Sequence, residues 1–356
     1  RLLRAFEEEA DLHLLGRAVM RGAVVRALEC RLLSHNILDH HPEIASLPVE
    51  NPVFITGLQR SGTTKMHRLL SCAATLRPLT AVEGLRPVPM GKPIPNEPGD
   101  YERRARQAKL AERGMKYVSP ALFAIHPVEA EAPEEDFFLF DVTFMSPAVD
   151  ASLSVPSFTR WIREVDQRAP YEYVRGLIQL LLWQRPGRYL GKTPHYQENI
   201  DILLDVYPDA KIVHTHRDPQ KVVPSFASMM AHTGATLSRS VDLSEVGRRV
   251  MRQQANSVER AIAARAAVAE GRVLDVHYLE VMRDPEREMR RVHDFLELPW
   301  DDVSQANVRR WLSGNPQNRH GRHRYTARDF GLDRDEIDER FKAYRERFDV
   351  EPEEVN

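Results

Sequence analysis

Short apolar runs rich in β-branched residues alternate with amphipathic segments along most of the chain. That pattern predicts an α/β protein: a parallel sheet flanked by helices, with helices in front of it and helical insertions within it. Two stretches carry the prediction. VFIT, at 53–56, ends in the glycine loop GLQRSG and runs into TKMHRLLSC, which has helical periodicity. KIVHTH, at 211–216, is a second strand followed by a helical run.

In order along the chain, residues 1–46 read mainly as two helices, and the stretch from Pro48 to Pro52 breaks the pattern. The expected organisation is an N-terminal helical extension over 1–50 and one α/β domain with helical insertions over 51–356. From Arg77 to Asp100 prolines are frequent and no helix of any length fits. Residues 101–117 read as helical, Pro133 marks the start of another helix, and 170–185, PYEYVRGLIQLLLWQR, is an amphipathic helix. After the turn at Pro186-Gly187, RYLGK is a strand and TPHYQENIDILLDVYP a helix with Thr193 near its N-cap. Residues 218–232 and 242–269 are helical. RVLDVHYLEV then holds a strand, DPEREMRRVHDFLEL is a helix, and a charged helix begins at Asp333.

Composition narrows the functions. Fifty basic against 52 acidic side chains give a net charge of −2, so no global basic field points to nucleic acid as a partner. Cys30 and Cys72 cannot build a disulfide framework or a Cys-rich zinc site, which suits a reducing, cytoplasmic setting. No apolar run approaches the roughly 20 residues that span a bilayer, and the start of the chain is amphipathic and charged, unlike a signal peptide. His35, His40 and His41 lack acidic partners at ligand spacing, and no metal site is expected.

The loop GLQRSGTT resembles an ATPase phosphate loop in the spacing of Gly57 and Gly62, but Thr63 stands where that loop has its lysine. A glycine loop feeding a helix aims several backbone N–H groups at one point, and the helix end adds about half a positive charge. Thr63 and Thr64 add hydroxyls, and Arg60 adds a forked cation suited to phosphate or sulfate oxygens. Without the lysine, a metal-bound triphosphate fits poorly and a single 5′ phosphate bearing one further group fits better. A second anion site is suggested by HTHRDPQKVVPSFASM. Arg217 follows a strand end, where open α/β sheets bind ligands, and Ser225 lies about two turns along the next helix. The competing reading of Arg217 is a surface salt bridge with Asp218 or Asp209.

These residues resemble the sulfotransferases that use 3′-phosphoadenylyl sulfate (PAPS), and the order of segments is similar to their bacterial sulfotransferase-like subgroup, over roughly Pro52 to Val350. QRSGTT, with Arg60, Ser61, Gly62, Thr63 and Thr64, looks like the family's 5′-phosphosulfate loop. Arg217 and Ser225 look like its 3′-phosphate pair, and Tyr278 like the tyrosine that approaches the adenine. NRHGRHRYTARDFGL, with Arg319, His320, Gly321 and Arg322, resembles the late basic loop that closes over the 3′ phosphate. The resemblance implies PAPS as sulfuryl donor, adenosine 3′,5′-bisphosphate as product, and no metal. One departure is visible: Lys65 follows the loop where the cytosolic enzymes have a tryptophan, and the loop cation is Arg60 where they have lysine.

Sulfuryl transfer to a hydroxyl needs a base for the acceptor's proton, cations for the sulfuryl and leaving-group charge, and alignment of the two reactants. Arg60 and Lys192 are the candidate cations. Glu83, which sits in a region comparable to that of the tyrosylprotein sulfotransferase base, and His195, which resembles the cytosolic enzymes' histidine displaced by one position, compete for the base. Glu134, Glu135 and Asp136 are a third option, although acids at a helix start more often stabilise its dipole. The acceptor is a small-molecule, lipid or glycan hydroxyl. The aromatic residues Phe123, Phe137, Phe138, Phe144 and Trp161 suit an apolar or mixed one. The alternative is a kinase or NTP hydrolase with a degenerate loop, which would need Asp218 or Asp275 to hold Mg²⁺.

Overall fold

Among the residues described in the computed structural model (1–91, 94, 97–146, 148–315 and 325–353), five strands form one parallel sheet. They are β1 (Val53–Gly57), β2 (Leu76–Pro78), β3 (Arg188–Lys192), β4 (Lys211–His216) and β5 (Val273–His277), in the order β2-β3-β1-β4-β5. The central strand β1 pairs with β3 on one side (Ile55 opposite Lys192) and with β4 on the other (Gly57 opposite Thr215). The chain therefore leaves β1 where the strand order reverses, the position at which open α/β sheets form a ligand crevice.

Alternation along β1 builds both faces of this sheet. Val53 and Ile55 enter a core with Met66, Leu69 and Leu70 of the helix Thr63–Leu70 and with Met289, Val292 and Leu296 of the helix Pro285–Leu296. Phe54 faces the other way, its ring 4.9 Å from Tyr207 and 5.1 Å from Tyr196. Because β1 is buried at every position, it reads as a continuous apolar run rather than an alternating one.

By internal packing the chain divides into two compact units. The sheet belongs to the unit made of 50–78, 188–228 and 242–356. The other unit, 1–49, 79–187 and 229–241, is built of helices. In it the helix Arg168–Gln184 buries Leu177, Ile178 and Leu181, as its 3.6-residue spacing requires, and Tyr171 meets Phe140 edge-on. No helix among the described residues is long and apolar enough to cross a membrane.

Several elements differ from the sequence reading. The Pro-rich stretch holds β2 and a one-turn helix, Ala81–Leu85. Pro133 does not start a helix; it pairs with Thr80 in an isolated bridge, and the helix begins at Phe137. The segment after β3 is a 3-10 turn, Pro194–Asn199, before the helix Ile200–Val206, and Thr193 makes no side-chain cap. The last charged helix is two helices, Arg334–Arg340 and Lys342–Phe348, split at Phe341.

Candidate active site

The loop after β1 is held in a conformation few residues tolerate. Gly57 has φ 143°, and a Cβ there would lie 2.3 Å from the backbone oxygen of Thr215. Gly62 has φ 99°, and a Cβ there would press on the Tyr278 ring. Arg60 is left-handed without being glycine, at φ 73°. A cation held in this region at a loop tip is the kind of strained position that accumulates at ligand sites. The Ser61 hydroxyl donates to Leu58 O at 2.6 Å and lies 2.7 Å from Thr215 Oγ1, while its N–H donates to the same Leu58 oxygen. Ser61 therefore shapes the loop from inside. Thr63 and Thr64 open the helix Thr63–Leu70, with Thr63 buried and Thr64 exposed.

The two anion positions read from the sequence meet at this loop. Arg60 Nε donates to Ser225 Oγ at 3.1 Å, and Arg217 Nη1 donates to Arg60 O at 3.3 Å. The Arg217 guanidinium lies 3.8 Å over the Tyr278 ring, the same ring that packs on Gly62. Asp218 and Asp209 are not Arg217's partners. Its Nε and Nη2 donate to Glu353 at 2.8 and 3.1 Å, and this carboxylate holds the guanidinium charged, above its ordinary value, against the opposing effect of burial.

Lys192 ends β3 almost wholly buried, with Nζ 3.4 Å from Thr64 Oγ1. His67, on the same helix as Thr64, is fully buried; burial and the nearby Lys192 charge push its pKa well below the usual histidine value and keep it neutral. His195 follows on the 3-10 turn. The Thr56 hydroxyl, from the centre of the sheet, bonds to the carbonyls of Thr193 and Pro194 at 3.1 Å each and so fixes the backbone that presents His195. Lys65 is half-buried and donates to Met282 Sδ, away from the loop.

Glu83 belongs to the helical unit, where it is not the surface carboxylate of a loose loop. It is buried at the third position of the helix Ala81–Leu85 and forms a capping box with Thr80. The Thr80 N–H and hydroxyl donate to Glu83 Oε2 at 3.0 and 3.1 Å, and Arg185 approaches the same oxygen at 3.5 Å. Tyr101 lies beside this pair, and burial followed by the Glu83 charge pushes its phenol pKa up. Glu134 and Asp136 are likewise buried. Arg319, His320, Gly321 and Arg322 lie outside the described residues.

Sequence reading missed a second layer behind Arg217. Asp275 accepts from Arg265 at 2.7 and 3.0 Å and from His216 Nε2 at 2.8 Å. His216 Nδ1 accepts from the Tyr344 hydroxyl at 3.1 Å, and Tyr344 in turn accepts from the Arg217 N–H at 3.4 Å. Burial opposes ionisation of Asp275, yet the bonds from His216 and Arg265 hold its pKa far below the usual carboxylate range. Burial lowers both His214 and His216. Asp218 is buried against Arg345 at 2.7 Å. The two aspartates that a Mg²⁺-dependent NTPase would need are thus each neutralised by an arginine of the chain.

Residues 52–302 match the model of the sulfotransferase family. The chain belongs to that family. Sulfotransferase STF9 from Mycobacterium avium is similar in structure, with a TM-score of 0.86 and 28% identity over 98% of this chain and 90% of that one. Sulfotransferase STF1 from Mycobacterium tuberculosis H37Rv has a TM-score of 0.83, also at 28% identity, over 96% of this chain and 90% of that one. Among curated sulfotransferases, the omega-hydroxy-beta-dihydromenaquinone-9 sulfotransferase Stf3 of Mycobacterium bovis is 24% identical over 282 residues. That match covers 74% of this chain but only 66% of the relative. The five-stranded parallel sheet and its loop are therefore those of a sulfotransferase, as the sequence pattern implied.

Proposed function

We propose that this sulfotransferase moves the sulfuryl group of PAPS to the hydroxyl of an apolar small-molecule or lipid acceptor and releases adenosine 3′,5′-bisphosphate. The observation that carries the donor assignment is the junction at the loop. Arg60 bonds to Ser225, Arg217 bonds to the loop backbone, and Tyr278 covers both Arg217 and Gly62. Two anion positions joined by one guanidinium-rich seam suit a nucleotide with phosphates on both its 5′ and 3′ carbons. They do not suit a triphosphate.

In this reading the loop N–H groups and Thr63 hold the 5′ phosphate. Arg60 and Lys192 take the charge that develops on the sulfuryl oxygens and the leaving phosphate. Tyr278 offers its face to the adenine end, and Arg217 and Ser225 hold the 3′ phosphate. Glu83 or His195 removes the acceptor's proton. Neutral His67 beneath Lys192 lets that lysine remain the local cation without a second buried charge beside it.

Two features support an apolar acceptor. The helical unit contains a cleft of about 140 Å³ lined mainly by Phe6, Met20, Val24, Phe137, Phe144 and Leu153, which suits a hydrocarbon chain. The Stf3 relative is named for a hydroxylated menaquinone, an alcohol at the end of a long apolar chain. The test is turnover of PAPS, with no added metal, against long-chain and isoprenoid alcohols, phenols, sterols and glycans. Turnover with the apolar alcohols above the glycans is expected. Turnover confined to glycans removes the acceptor class, and no turnover with any hydroxyl removes the reaction.

A further inference from the structure

Arg217 is already bound to an anion. Glu353 lies 136 residues further along the chain, and its two carboxylate oxygens take Nε and Nη2, the forked edge of the guanidinium that a phosphate would use. The remaining edge of Arg217 bonds to Arg60 O and one face lies on Tyr278. Accordingly we propose that Glu353 stands in for the donor's 3′ phosphate when the nucleotide is not bound, and that donor binding displaces it. The proposal rests on the reading of Arg217 as the 3′-phosphate cation. It makes Glu353 the residue that sets how tightly 3′-phosphorylated nucleotides are held.

The segment that carries Glu353 is suited to leave. Residues 351–353 have no regular structure. They follow Val350, which is buried and whose N–H returns to Arg345 O at 3.1 Å. Beyond that anchor the holds are polar and local. Glu351 pairs with Arg283 at 2.9 Å with both side chains more than half exposed, and the Glu353 N–H donates to Asp218 Oδ2 at 2.7 Å. The cleft here, about 210 Å³, is lined by Asp218, Glu280, Asp349, Glu351 and Glu353 together with Arg217 and Tyr278. Asp218 is held by Arg345, and Glu280 and Glu351 by Arg283, so Glu353 is the carboxylate that occupies the Arg217 fork. Release of Glu353 exchanges a single negative charge for a phosphate carrying about −1.5 to −2. Arg217 stays paired throughout, and the freed carboxylate passes into water, so the exchange costs little desolvation.

The test is the affinity for adenosine 3′,5′-bisphosphate and for adenosine 5′-monophosphate, measured by calorimetry on the full chain for the wild type, Glu353→Gln and Arg217→Ala. Glu353→Gln is expected to tighten the bisphosphate by roughly two- to fivefold, the range of a partly exposed ion pair, and to leave the monophosphate unchanged. Arg217→Ala should weaken the bisphosphate alone. Weaker or unchanged bisphosphate binding in Glu353→Gln, with Arg217→Ala still weakened, overturns the stand-in and leaves the 3′-phosphate reading intact. An Arg217→Ala protein that binds the bisphosphate as tightly as the wild type overturns both.

Discussion

Glu83 has a structural job that must be separated from the proposed catalytic one before it is named the base. Its Oε2 closes a capping box with Thr80, which alone would explain its burial. Glutamine serves equally well at the third position of such a box, because its carbonyl oxygen accepts the same N–H and hydroxyl bonds. Glu83→Gln therefore keeps the helix Ala81–Leu85 and removes only the carboxylate. If Glu83 takes the acceptor's proton, kcat with PAPS should fall about 10²- to 10⁴-fold at an unchanged melting temperature. If Glu83→Gln turns over normally while His195→Ala loses that factor, the histidine is the base. The backbone that presents His195 is fixed by Thr56 bonds to carbonyl oxygens, which an alanine at 195 does not disturb.

At the scale of elements, β1, its loop and the helix Thr63–Leu70 depend on Gly57. An alanine there would place Cβ 2.3 Å from Thr215 O, in the strand bonded to β1, at a φ of 143° that side chains avoid. Gly57→Ala should cost roughly 2–5 kcal/mol in denaturant unfolding and abolish nucleotide-induced stabilisation; a wild-type midpoint would refute the close packing of β1 against β4 at this point. These elements were legible in sequence because their signals are local: a fully apolar run, a glycine spacing and a 3.6-residue period in immediate succession. β2 was not, since three residues, one of them Pro78, carry no period, and their pairing with Arg188–Leu190 lies over a hundred positions away. Pro133 misled because a proline before an apolar run marks a helix start only when the next residues are free to coil, and here the chain first crosses Thr80. The Arg217–Glu353 pair was illegible for the same reason as β2. Asp218 and Asp209 were nearer in sequence, and only the folded chain shows Asp218 bound to Arg345.

At the scale of the whole molecule, the buried histidines set how the fold answers to acid. His67, His214 and His216 are all lowered, first by burial; His67 is then lowered by Lys192 and His214 by His216. His67 and His214, pushed well below the usual histidine value, stay neutral in the folded chain at pH values where the unfolded chain, with histidine near its ordinary value of about 6.5, binds a proton. Below about pH 6.5 the unfolded state therefore binds more protons, and stability falls with pH by up to about 1.4 kcal/mol per pH unit for each of these two histidines, with His216 acting in the same direction. Asp275 acts in a lower window. Its carboxylate is held below its ordinary range, so its contribution persists above about pH 4 and is lost only under stronger acid. Between pH 6 and 4.5 these histidines steepen the fall, while Asp141, whose carboxyl burial pushes up to about 6, acts in the opposite sense in both proteins compared below. His67→Gln removes one titrating group, and the fall in unfolding free energy over that interval should become shallower by about 1.4 kcal/mol per pH unit than in the wild type. Equal slopes for the two proteins would mean that His67 takes up its proton in the fold, and that Lys192 has a second buried charge beside it.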